Sequence, residues 1–117
     1  MNVSEELIRS IVEKVIAEAA CSTGKCDFQK QVDPSGVIGV KTSTVKLEPF
    51  EGRSDVKLKD VATLEEAPRM GCGIMELSDG ADFEWTLTYD EWDIVLEGRL
   101  EIKIDGRVVG GDAGDVI

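Results

Sequence analysis

Glu91-Trp-Asp-Ile-Val-Leu-Glu-Gly98 has the two-residue period of an extended strand that ends in a glycine turn. Gly98 hands the chain to Arg99-Leu-Glu-Ile-Lys-Ile104, and Asp105-Gly106 is a two-residue hairpin signal before the return strand Arg107-Val-Val109. Gly110-Gly111 and then Gly114-Asp115 supply another turn before Val116-Ile117. Upstream, Phe83 to Thr88 alternates, and Tyr89-Asp-Glu91 turns the chain into the Trp92–Glu97 strand. Gly71 to Leu77 is a further strand, ended by Ser78-Asp-Gly80. Val37 to Leu47 is β-branched and alternating, and Pro49 and Gly52 close it. Between Gly52 and Arg69 the pattern is less regular, with Val56, Leu58, Val61 and Leu64 expected to be buried. Short strands punctuated by Gly and Asp predict a mainly β sandwich or barrel built from hairpins. No glycine-rich loop opens a helix here, which argues against P-loop and dinucleotide folds.

The first twenty residues differ. Val3, Leu7, Ile8, Ile11, Val12, Val15, Ile16 and Ala19 recur at spacings of three and four, which predicts an amphipathic helix over residues 2–20. Asn2 and Glu5 fit a capping box. Residues 21–36 read as a linker, and residues 37–117 as a β domain. The helix must bury its stripe, either on its own domain or in a groove of another protein. Its polar face is acidic, so an anionic membrane is the weakest partner. Gly114-Asp-Val-Ile117 reads as a strand that has only begun, so the barrel is expected to be unfinished within 117 residues.

Acidic residues outnumber basic ones 24 to 13, for a net charge of -11, so nucleic acid is not an expected partner. At 42% apolar the chain has material for a core, and its length suits one domain. It contains no histidine, which removes imidazole bases, Ser-His-Asp and Cys-His nucleophiles, and histidine-ligated metals. Cys21, Cys26 and Cys72 do not make a zinc set, and they read as reduced thiols. No signal peptide or span of about 20 apolar residues is visible, which predicts a cytoplasmic protein.

Phe83 to Ile117 resembles the cupin superfamily. Glu91, the six residues Trp92–Glu97 and Gly98 fit the second half of its first motif, and Gly114-Asp115-Val116 fits the opening of its second. A narrower resemblance, to the EutQ family of ethanolamine utilisation proteins, rests on Trp85-Thr-Leu-Thr-Tyr-Asp-Glu91, Asp33-Pro-Ser-Gly36 and Leu58-Lys-Asp60. The cupin resemblance implies a double-stranded β-helix barrel that is usually a homodimer. That to EutQ implies a place in the ethanolamine microcompartment and acetate kinase activity with ATP and Mg²⁺. Leu7 to Ile16 is similar to the encapsulation signals of microcompartment cargo. Residues 1–20 are therefore expected to engage shell or enzyme partners.

The two cupin histidine positions fall at Glu84 and Thr86, or at Trp85 and Leu87, depending on the spacing to Glu91. No imidazole stands at either pair, so no tightly bound transition metal is expected. Glu84 and Glu91 offer oxygens suited to Mg²⁺. If Glu91 faces inward, Asp93 and Val95 do as well. The expected site is Glu84, Thr86, Tyr89, Glu91 and Asp93, with Arg53, Lys57, Lys59, Arg69, Arg99 and Lys103 as candidate cations for the phosphates. The alternative is a non-catalytic assembly protein of the microcompartment with a degenerate barrel.

Overall fold

Asp33-Pro-Ser-Gly36 makes the first turn of the computed structural model, which describes residues 27–117. The Asp33 carboxylate accepts the Ser35 N–H at 2.8 Å, its carbonyl accepts the Gly36 N–H at 2.9 Å, and Gly36 takes φ +96°. That turn folds β1 (Lys30–Val32) against β2 (Ile38–Val40), with Lys30 opposite Val40 and Val32 opposite Ile38. Part of the segment expected as a linker is thus a strand. The Val37–Leu47 strand is correspondingly shortened, because a 3-10 turn at Thr42–Thr44 interrupts it.

The second hairpin turns on Glu51-Gly52, where φ values of 49° and 76° match a two-residue turn with both central residues left-handed. It joins β3 (Glu48–Phe50) to β4 (Arg53–Ala62), and β4 pairs on its other side with β5 (Cys72–Leu77), giving the order β3-β4-β5. β4 is the longest strand described, although its sequence reads as irregular. The reason is a register shift between Asp60 and Ala62. The extra residue of a bulge breaks strict alternation and re-aims side chains, so Val56 and Val61 are both buried although they lie five positions apart. Leu64, expected to be buried, is instead exposed. With Phe28, the two valines form the buried apolar set of this part of the chain.

Contacts divide the chain into two compact units, one ending at Asp82 and the other Phe83–Ile117. The boundary falls inside the segment expected to form one domain. The second unit contains the β6 (Arg99–Ile104) and β7 (Arg107–Asp112) hairpin, turned by Asp105 at φ 50° and Gly106 at φ 75°. Gly110-Gly111, expected as a turn, lies inside β7. A Cβ on Gly110 would run into the Arg99 guanidinium, and one on Gly111 would come within 3.3 Å of the Ile117 side chain. The glycines therefore permit close approach rather than reversal. Phe83–Thr88 makes no ladder, and Trp92–Glu97 makes only one bridge, Ile94 to Val116. Alternation alone does not make a strand; it needs a neighbour to pair with.

The mainly β expectation holds, with antiparallel pairing throughout the described sheets. The amphipathic helix of residues 2–20 lies outside the described residues. Among those described, no helix is long and apolar enough to cross a membrane.

Candidate functional site

The Asp93 N–H donates to the Ile117 carbonyl and the Ile117 N–H to the Asp93 carbonyl, both at 2.8 Å. The Val95 N–H donates to the Asp115 carbonyl at 3.0 Å, and the Gly114 N–H to the Val95 carbonyl at 2.7 Å. Asp93 and Val95 thus spend their backbone groups on residues 114–117. The turn that brings this segment back is closed by the Asp115 carboxylate, which accepts the Asp112 N–H at 2.8 Å. Gly114 at φ 95° supplies a conformation that a side chain would disfavour.

Side-chain exposure follows the same alternation. Val95 is buried and Asp93 half-buried, whereas Trp92 is 81%, Ile94 65% and Leu96 74% exposed. Glu91 begins this row. As a whole residue it is exposed, yet its carboxyl is held above the ordinary value of 4.5. Partial loss of water is the largest cause, followed by the negative charge of Asp93 and a hydrogen bond between the two side chains.

The other expected site residues do not join this pair. Glu84, Thr86 and Tyr89 are exposed, and among the described residues no hydrogen bond or ion pair links them to Glu91 or Asp93. No group of three or more acids or thiols among the described residues is gathered so as to hold a metal ion. Glu84 and Glu91 are thus not part of a multidentate cage, and a cation here would take most of its ligands from water or substrate.

The expected cations separate into two sets. Arg53 makes a two-pronged contact with Asp55, at 2.9 and 2.7 Å. Lys59 reaches Glu48 at 3.1 Å and Asp27 at 3.5 Å, and Arg99 reaches Glu101 at 3.0 Å and Asp112 at 3.2 Å. Lys57, Arg69 and Lys103 make no ion pair among the described residues. Lys103 alone of these three shares a unit with Glu91 and Asp93. Sequence reasoning missed Lys30, which is buried and paired with Glu66. The signal was the alternation of Phe28, Lys30 and Val32, hidden inside an apparent linker.

Comparison with known proteins follows the same lines. The family described as "Ethanolamine utilisation protein EutQ" matches residues 3–117. The chain is 42% identical to the protein named acetate kinase EutQ of Clostridioides difficile, over 99% of this chain and 78% of that one. It is 35% identical to the acetate kinase EutQ of Salmonella typhimurium, over 97% of this chain but 52% of the relative. The solved C. difficile EutQ structure superposes with a TM-score of 0.69 at 45% identity, covering 80% of this chain and 72% of that one. The solved S. typhimurium ethanolamine utilization protein Q gives 0.68 at 38% identity, covering 77% and 74%. The chain thus spans about half the length of its S. typhimurium relative and most of the C. difficile one. Sequence and fold agree: the chain belongs to the EutQ family of ethanolamine utilisation proteins.

Proposed function

We propose that this protein carries out acetate kinase-type phosphoryl transfer between ATP and acetate, in association with the bacterial ethanolamine microcompartment. The observation that carries the reading is the 42% identity, across 99% of this chain, to a relative named acetate kinase EutQ. In the forward direction an acetate oxygen bonds to the γ-phosphorus of ATP. The bond from that phosphorus to its bridging oxygen breaks, and ADP leaves with the electron pair. Acetate is already ionised at neutral pH, so the nucleophile needs no base, and a chain without histidine is not at a disadvantage. Such transfer depends on positioning and charge stabilisation.

Glu91 and Asp93 suit this chemistry as oxygen ligands to Mg²⁺, which is commonly held by one or two carboxylates together with substrate phosphates. When bound, the ion would neutralise phosphate charge beside the acids. The pair's own contribution is to present two carboxylates from a segment fixed by the Asp93 and Val95 backbone bonds. Lys103 is the cation of this unit best placed to remain available for phosphate. The reading extends to a homodimer and to shell or enzyme partners engaged by residues 1–20. Purified full-length protein supplied with ATP, Mg²⁺ and acetate should form acetyl phosphate, trapped as its hydroxamate, and should form ATP from acetyl phosphate and ADP. Absence of both reactions would overturn the assignment.

The exposed row Trp92, Ile94 and Leu96 favours a second reading, in which the chain serves assembly rather than catalysis. In that case both reactions are absent while association with the compartment persists.

A further inference from the structure

The β1–β2 hairpin and the β3–β4–β5 sheet share no ladder. Within residues 27–45 the Lys41 N–H donates to the Gln29 carbonyl at 3.0 Å, and the Gln29 N–H to the Thr44 hydroxyl at 2.9 Å. Among the described residues no backbone hydrogen bond leaves this segment for β3, β4 or β5. Two lysine–carboxylate pairs cross instead. Lys30 on β1 meets Glu66 in the β4–β5 connection, Nζ to Oε2 at 2.5 Å, and Lys59 on β4 meets Asp27 at 3.5 Å.

Both lysines are shielded, with side chains 4% and 14% exposed, although lysine is among the residues least often buried. Lys30 also lies over the Phe28 ring, 5.9 Å from its centre, so its ammonium is held by an aromatic face and a carboxylate. Glu66 also accepts the Thr63 N–H at 3.2 Å, which helps hold its carboxylate in place. A buried ammonium left without its carboxylate is strongly unfavourable. The pair is therefore a connection that is either made or lost.

We infer that residues 27–45 form a strap latched to the β3–β4–β5 sheet by Lys30–Glu66 and Asp27–Lys59, opening as a unit while the sheet stays folded. Among the described residues its ladder pairs only within the strap, as suits a separate cooperative unit. Hydrogen exchange on the full chain tests it. Glu66→Gln should speed exchange of the Asp33 and Lys41 amides on the order of tenfold or more. Lys30→Met with Glu66→Gln should return the strap amides toward wild type, since no unpaired ammonium remains. In the unaltered protein at low denaturant, the strap amides should exchange through an opening that the β4 amides do not share. No acceleration in Glu66→Gln, or a common opening in the unaltered protein, would each overturn the inference.

Discussion

Glu91 and Glu66 are the same residue type placed in opposite electrostatic surroundings, and their titrations should differ in sign. Glu91 is held above 4.5 by loss of water and by Asp93, so its folded form prefers the proton. Its ionisation therefore weakens the fold at neutral pH, and the penalty disappears as pH falls through its raised value toward 4.5. Glu91→Gln should raise the denaturation midpoint at pH 7, and the gain should shrink toward zero below pH 4.5, as urea titrations across that range would record. Glu66 is held below 4.5, first by the hydrogen bond from Lys30 and also by the Thr63 N–H and the charge of Lys30. It contributes stability that is present above 4.5 and lost as pH falls through its depressed value. Glu66→Gln should cost roughly 3 kcal/mol at pH 7, the lower end for breaking a buried pair, because Glu66 itself is partly exposed. At the core, Val56→Ala should cost roughly 2 kcal/mol by equilibrium unfolding, since Val56 is fully buried.

The hairpins show how far element structure can be read from local chemistry. Asp105-Gly106 is legible because few residues take left-handed conformations, and the pair does so at 50° and 75°. Gly106→Ala should cost about 1 kcal/mol in thermal or chemical unfolding, the penalty for placing a Cβ in that region. The Glu51-Gly52 turn uses the same geometry and was illegible, because Glu is not a residue of such turns. β4 escaped because its bulge at Asp60/Ala62 interrupts the period on which recognition depends. Phe83–Thr88 is the opposite case: the period is present, but no strand ladder forms there. At the site, the shared face of Glu91, Asp93 and Val95 follows from alternation, whereas Glu84 and Thr86 depended on a pairing that the structure lacks. The Lys30–Glu66 pair spans 36 positions, and no local signal could join its members.

Over the whole chain, membership of the EutQ family rests on similarity that reaches from residue 3 to residue 117. Residues 3–20 of the amphipathic pattern lie inside that match. A reporter carrying residues 1–20 should co-sediment with ethanolamine microcompartments, while the same reporter with Ile8 and Ile11 changed to Asp should remain in the supernatant. The proposed phosphoryl transfer would use Glu91 and Asp93, two carboxylates on a segment whose backbone is held by the Asp93 and Val95 hydrogen bonds. The most direct measurement is the acetate-dependent turnover of ATP by full-length protein, compared with Glu91→Gln/Asp93→Asn of unchanged circular dichroism. The prediction is a loss on the order of 100-fold, the upper end of what removing even an outer-shell partner of a bound metal costs, partly recovered by raising Mg²⁺. Turnover by the double variant at the wild-type rate would contradict it.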